Sequence, residues 1–383
     1  ELPKSFLPVG IETNDGYLKE LAYEGLKTRG VNTQEYKDRL EYELGVISKL
    51  NFSSYFLILG IVIKEVRKCR ILVGPGRGSA GGSLVLYALG ISGVDPIKYK
   101  LMFERFLNPS RIDLPDVDID FEQRRRPEVI AIVQQIFGAD KVSRIATFNN
   151  MTTKLAIREA IRAIEPNRSR VEELIKDLGG LDELEPKELF EETAKREEEG
   201  VMAAMDKMRA FKSPRAGKSW YDFAAGLSGS PKAVSIHASG VIISKDRFSD
   251  IVPTFKVNLE SETALMCDMH VASKLGLVKF DLLGLTTLDI IKITCEMIEE
   301  NHGVDVDPYA IPFDDPKTFA LLQTGNTCRV FQAEGDGFTN MLKGLCPTEF
   351  EHIIAMNALY RPGALAYDEV IKMSAAEKYI RTK

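Results

Sequence analysis

The segment Leu114-Pro115-Asp116-Val117-Asp118-Ile119-Asp120-Phe121 alternates acidic and apolar residues. Alternate side chains of a β-strand share a face, so Asp116, Asp118 and Asp120 would project together while Val117, Ile119 and Phe121 pack inward. Same-face neighbours on a strand stand about 7 Å apart, and carboxylates at that spacing repel one another at neutral pH unless a cation neutralises them. Hard oxygen ligands suit Mg²⁺, which is usually held by one or two carboxylates plus substrate phosphates. An exposed strand edge guarded by charge is the other use of such aspartates. The apolar partners and the low strand propensity of Asp favour metal binding.

A second stretch, Gly-Pro-Gly-Arg-Gly-Ser-Ala-Gly-Gly-Ser from Gly74 to Ser83, has the composition of an anion-binding loop. Its five glycines in nine positions, Gly74, Gly76, Gly78, Gly81 and Gly82, allow positive φ and close approach of backbone amides to phosphate. Arg77 can pair bidentately with phosphate oxygens, and Ser79 adds a hydroxyl. A helix over Ala80–Leu89, starting near Ser79, would aim its positive end at the same place. The loop is not a P-loop, since no Gly-Lys-Ser/Thr closes it, and not a dinucleotide fingerprint, since no acid follows in the required context. By itself such a loop is also compatible with a tight turn. Next to the aspartates it points to nucleotidyl transfer by two metal ions spaced about 3.5–4 Å apart.

A two-metal site usually takes one more carboxylate from elsewhere in the chain. Asp281, an isolated acid in the apolar run Val278–Gly284, is the candidate, because an unpaired charge there would be costly. Lys279 falls on the same strand face, and a plain Lys279–Asp281 ion pair at a strand end is the alternative. His237 lies in the β-type run Val234–Ile243, where a place near the site and a hydrogen-bonded structural role are both open. His270, His302 and His352 have no ligand spacing.

The elements around these residues follow from periodicity. Apolar Leu40, Leu44, Ile47 and Leu50 predict helix within Tyr17–Lys68, taken as two helices, with breaks near Gly30–Thr33 and Asn51–Ser54. Ile71–Val73 is β-prone and Val117–Phe121 is a strand. Pro127–Phe137 and Thr152–Ile164 are amphipathic helices. Ser169 to about Ala225 is charged and helical, as a subdomain inserted into a sheet would be. Strands return at Val234–Ile243 and Leu277–Leu282. A helix over Leu288–Glu300 meets its stop at Asn301-His302-Gly303. The stretch 308–383 is mixed, with a helical charged tail.

At 383 residues, 44% hydrophobic and 28% charged, the chain has the composition of an ordinary globular protein with two or three cores. Its net charge of −6 does not advertise nucleic-acid binding, but phosphate recognition depends on local clusters. Arg124, Arg125 and Arg126 form one, followed by Lys141, Arg144, Lys154, Arg158, Arg162, Arg168 and Arg170. Five scattered cysteines without a CxxC pair read as reduced thiols and give no zinc site. The longest apolar run, Tyr55–Val66, contains Lys64 and Glu65 and is too short for a membrane span. The start Glu1-Leu2-Pro3 lacks both an initiator Met and a signal pattern, so a fragment or processed chain in the cytoplasm is expected.

An ordered series of motifs runs through nearly the whole chain: SSYFLI, VGPGRGSAGGSLVLYALGI, LMFERFLNPSRIDLPDVDIDF, IATFNNMTTKLAIREAIR, HASGVIIS, LVKFDLLGLTTLDII, VFQAEGDG and ALYRPGAL. The series resembles the C-family of replicative DNA polymerases, the bacterial DNA polymerase III alpha subunits, and its PDVDIDF form looks like the DnaE-type branch. The resemblance implies an α+β fold: a polymerase-β-like nucleotidyltransferase palm with a mixed sheet, a helical thumb insertion and the beginning of a fingers domain. On that basis 1–164 is the first part of the palm, 165–230 the thumb, 231–305 the second part of the palm and 306–383 the start of the fingers.

The resemblance further implies that Asp116, Asp118 and Asp281 hold two Mg²⁺ ions, with Asp120 and His237 in support. It places Gly76, Arg77, Gly78, Ser79, Lys279 and Arg361 at the nucleotide, and Arg124, Lys154 and Arg158 toward DNA. The implied activity is template-directed addition of deoxynucleotides to a primer 3′-hydroxyl in bacterial replication, near the nucleoid, with no membrane partner. Implied partners are primer-template DNA, deoxynucleoside triphosphates, a sliding clamp, a clamp loader and a proofreading exonuclease subunit. The regions that bind the last three are not expected in this chain, nor is a PHP-type domain, and Ala364 stands where the family favours Pro. Two other readings stay open: a template-independent nucleotidyltransferase, and a catalytically silent fragment acting as a DNA-binding or assembly module.

Overall fold

The computed structural model describes residue 7 and residues 11–110, 115–164, 220–256 and 263–360. Arg361, Ala364 and the expected thumb, apart from 220–230, lie outside the described residues. The chain divides into two compact units, Val133–Asp281 and a second that joins Leu2–Ile132 to Leu282–Lys383.

The second unit opens with α1 (Asn14–Thr28), α2 (Gln34–Lys49) and α3 (Ser53–Lys68), so the expected pair of helices is in fact three. The breaks fall where the sequence places them. Gly30 (φ 71°) and Asn51 (φ 59°) sit in the left-handed region that ends a helix. Thr13 caps α1, its hydroxyl accepting from the Gly16 amide at 3.1 Å. Leu18, Ala22, Leu26, Leu40, Ile47 and Phe56 are all fully buried, as the helical stripes require. Among the described residues no single helix is long and apolar enough to cross a membrane.

The expected helix over Ala80–Leu89 is replaced by a 3₁₀ turn at Gly78–Gly82 and a short α4 (Leu84–Ala88). The three glycines within Gly78–Gly82 are too costly for an α-helix interior, and Ser83 starts the helix late by accepting from the Leu86 amide at 3.3 Å. The free amides at the start of α4 are taken by Glu43, whose carboxylate accepts from Leu84 N at 3.0 Å and Val85 N at 3.1 Å. The first amides of α4 are therefore engaged by Glu43 and are not free for an anion at the loop. Ile71–Val73 is not a strand either: it makes a single antiparallel bridge, Val73 to Phe121 in β1 (Asp118–Glu122).

In the first unit β2 (Val142–Asn150) pairs antiparallel with β3 (Pro231–Ile243) and parallel with β5 (Thr263–Leu265), which pairs antiparallel with β4 (Thr254–Lys256). β3 pairs antiparallel with the start of β6 (Lys279–Leu285). Ile145, Ile242, Phe248 and Leu265 form the core beneath. Helix α5 (Arg126–Phe137) begins in the second unit and ends in the first, whose other helices are α6 (Thr153–Ile164), α7 (Trp220–Leu227) and α8 (Met269–Lys274). β6 carries the chain from one unit to the other, with Lys279–Asp281 in the first and the rest in the second. The result is a mixed α/β fold whose six-stranded mixed sheet runs β1-β6-β3-β2-β5-β4, consistent with a nucleotidyltransferase-like domain.

Past β6, α9 (Thr286–His302) stops at Gly303 in the left-handed conformation, as the sequence predicts. Helices α10 (Pro316–Gln323), α11 (Asp336–Leu345) and α12 (Phe350–Leu359) follow, with Phe338, Leu342 and Met356 as a small core.

Candidate active site

Within the second unit the glycine loop and the acidic strand are physically one structure. The Gly74 amide donates to the Asp120 carbonyl at 2.7 Å. A Cβ on Gly74 would stand 3.0 Å from Asp120 Cβ, so only glycine permits this approach without a shift. Of the five loop glycines, Gly76 (φ 104°) and Gly78 (φ 64°) take positive φ while Gly74, Gly81 and Gly82 do not, and Arg77 and Ser79 between and beyond the two are exposed. Arg77 reaches back to the acids, Nη2 lying 3.3 Å from Asp118 Oδ2 and Nε 3.9 Å from Asp120 Oδ2.

The alternation in β1 is realised as expected. Val117, Ile119 and Phe121 are buried, Asp116 is exposed, and Asp118 and Asp120 are half-buried. The Val117 amide donates to the Tyr55 hydroxyl at 3.2 Å, which fixes the strand entry. Buried Glu122 holds its far end by accepting from the Leu72 amide at 2.6 Å. Asp118 and Asp120 thus project from a strand anchored at both ends, with Asp116 two residues before its start.

Burial pushes the Asp120 carboxyl above the ordinary range, Arg77 pulls it partly back, and the charge of Asp118 raises it again. A carboxyl with a raised folded-state pKa stabilises the fold fully below the ordinary carboxylate pKa, and that contribution is lost as pH rises through the folded value. Asp120→Asn should accordingly flatten the decline in melting temperature from pH 4 to pH 7.5, measured with chelator. The gain at pH 7.5 should be under about 1 kcal/mol, because the group is only partly buried. An unchanged pH profile in the variant would remove Asp120 as its source.

In the first unit Asp281 is buried, and both its oxygens are engaged. Lys279 Nζ lies 2.6 Å from Oδ2, and the Ser239 hydroxyl donates to Oδ1 at 2.8 Å. The Lys279–Asp281 pair foreseen as an alternative is therefore present. His237 Nδ1 accepts from the Gly240 amide at 2.8 Å, which puts the proton of the neutral ring on Nε2. This is the hydrogen-bonded structural arrangement left open by the sequence.

The basic residues divide. Arg125 is tied to Glu128 and to the Cys69 and Arg70 carbonyls, and Arg126 Nε donates to the Leu282 carbonyl at 2.6 Å. Both serve the fold. The side chains of Arg124 and, on α6, Lys154 are exposed, while Arg158 is half-buried. Sequence reasoning missed Glu43 and Ser239, and counted Arg144 only among the basic residues. Glu43 could have been noticed as an acid on the apolar stripe of α2, next to Leu44. Ser239 and Arg144 carry no local sign of their partners.

Comparison with known proteins bears on both units. The sequence pattern described as "Bacterial DNA polymerase III alpha NTPase domain" matches residues 16–284. That described as "Bacterial DNA polymerase III alpha subunit finger domain" matches residues 287–383. The chain is 42% identical to a DNA polymerase III subunit alpha of Aquifex aeolicus, across 100% of this chain and 34% of the relative. It is 39% identical to that of Bacillus subtilis, across 95% of this chain and 32% of the relative. The corresponding figures for Thermus aquaticus are 37%, 91% and 28%. The chain thus spans about a third of the length of these curated relatives.

Proposed function

Because the chain belongs to the bacterial DNA polymerase III alpha subunit family, we propose that it is the nucleotidyl-transferring core of a template-directed DNA polymerase acting in replication. The observation that carries this reading is the coupling of loop and strand, with Arg77 bound to Asp118 and Asp120 and Gly74 hydrogen-bonded to Asp120. A triphosphate on the loop would then lie beside carboxylates able to take the metal that accompanies it. In this reading the palm comprises 1–164 and 231–305, the thumb 165–230, and the fingers begin at 306.

Asp116, Asp118 and Asp281 are acids that could hold a metal ion. The donor set fits Mg²⁺, being all carboxylate oxygen with no thiolate or imidazole among the three. When bound, two such ions would lower the pKa of the primer 3′-hydroxyl and stabilise charge on the departing pyrophosphate. The chain's own residues do the rest. Arg77 and Ser79 would hold triphosphate oxygens, with the Gly76 and Gly78 backbone giving room for close approach. Lys279 would neutralise charge that develops in transfer. Arg361 would reach incoming nucleotide, and Arg124, Lys154 and Arg158 would bind the DNA backbone without reading sequence. Sliding clamp, clamp loader and exonuclease partners are proposed for the longer protein.

The test is single-nucleotide extension of a labelled primer-template with Mg²⁺. Addition of only the complementary nucleotide at each template base is expected. Addition that ignores the template would favour a template-independent nucleotidyltransferase. DNA retention without incorporation by the full-length chain would favour a binding or assembly role.

A further inference from the structure

The pairing of β2 with β3 contains a large irregularity beside Asp281. Arg144 is opposite Val241 and Ala146 is opposite Ile236, so His237, Ala238, Ser239 and Gly240 all answer to Ile145. Bulges of this kind re-aim side chains and gather next to active sites. This one is held from both sides. Buried Arg144 donates through Nη2 to the His237 carbonyl at 2.7 Å and the Ala238 carbonyl at 3.2 Å. The His237 ring accepts from the Gly240 amide at 2.8 Å. A Cβ on Gly240 would stand 3.0 Å from His237 Nδ1 and 3.1 Å from Ile145 Cδ1, so glycine is what lets the bulge close. Gly240 is the register partner of Asp281, and the bulge turns the buried Ser239 hydroxyl onto Asp281 Oδ1 at 2.8 Å.

We propose that Ser239 is a positioning residue, presented by the Arg144-clamped bulge to fix the orientation of the Asp281 carboxylate for a divalent cation. The inference rests on the reading of Asp281 as a metal ligand. A carboxylate on a flat strand can rotate about its side-chain bonds. The Ser239 donor on Oδ1 and Lys279 on Oδ2 hold the Asp281 carboxylate in a single orientation. Partners of this kind commonly change metal affinity by about 10–100-fold. The Ser239 hydroxyl adds no charge, so its effect is expected in affinity and geometry, not in net attraction.

The experiment measures Mn²⁺ binding by electron paramagnetic resonance in the full-length chain, for wild type, Ser239→Ala, Ser239→Thr and Asp281→Ala. Ser239→Ala should weaken Mn²⁺ about 10-fold or more, Ser239→Thr should stay near wild type, and Asp281→Ala should lose the tight component. Raised Mg²⁺ should restore primer extension to Ser239→Ala but not to Asp281→Ala, which a merely structural role for the hydroxyl would not produce. Wild-type Mn²⁺ affinity in Ser239→Ala, with affinity lost in Asp281→Ala, would overturn the inference and leave the ligand reading standing. Unchanged affinity in Asp281→Ala would overturn the ligand reading, and the inference with it. Should the alanine variant fail to fold, Ser239→Cys, close in volume but a weak donor, gives the same two readings.

Discussion

Asp118→Asn should reduce primer extension by about 10³-fold or more while leaving the chain folded. Removal of one preorganised group that stabilises developing charge costs about 10²–10³-fold in rate, and a metal ligand is at the upper end or beyond. Asparagine keeps the shape of the side chain but loses the charge that would hold the cation. The fold has little to lose. The Arg77–Asp118 pair is substantially exposed on both sides, and such pairs contribute about 0–1 kcal/mol. The substitution also removes a like charge beside Asp120 that raises that residue's pKa. The measurements are extension rate under saturating nucleotide and melting temperature of the same preparation. An extension rate within threefold of wild type, at unchanged stability, would remove Asp118 from the ligand set.

Glu43→Ala should cost about 2–4 kcal/mol of stability, because it leaves buried donors unsatisfied at about 1–3 kcal/mol each while Arg39 stays partly exposed. Glu43 is fully buried, and its carboxylate is nearly saturated. Arg39 Nε lies 2.7 Å from Oε1, Ser83 Oγ donates at 3.0 Å, and the Leu84 and Val85 amides donate as well. Alanine would leave all four donors without that acceptor. Burial raises the Glu43 pKa even though these bonds oppose it. Its stabilising effect is therefore greatest below the ordinary carboxylate range and declines as pH rises from there. Guanidinium denaturation at pH 5 and pH 7.5 should show the smaller loss at the higher pH. The same change loosens Ser83 and α4, which carry the end of the glycine loop proposed to hold the triphosphate, so a raised Michaelis constant for nucleotide should accompany it. A stability loss below about 1 kcal/mol would mean that solvent readily replaces the carboxylate.

Much of this protein was legible from local pattern. Period-two alternation placed Asp116, Asp118 and Asp120 opposite Val117, Ile119 and Phe121, because strand geometry allows nothing else. The breaks at Gly30 and Asn51 and the stop at Gly303 followed from the same kind of rule, while which two of the five loop glycines take positive φ did not. The order of motifs carried the family, which the matches over 16–284 and 287–383 bear out.

Tertiary structure decided what local pattern leaves degenerate. The start of α4 depends on Glu43, 40 residues before Ser83 in the chain. Local propensity gives no account of such an acceptor, so the helix was expected several residues too early. The run Arg124–Arg126 looks uniform in sequence, yet Arg126 is spent on the Leu282 carbonyl and Arg125 on Cys69 and Arg70. The bulge at His237–Gly240 depends on Arg144 in another strand, and the orientation of Asp281 depends on Ser239, 42 residues earlier. Residue types and spacing determined which groups could do chemistry. Only long-range hydrogen bonds, whose partners the chain must fold to bring within 3 Å, decided which of those groups are held in place to do it.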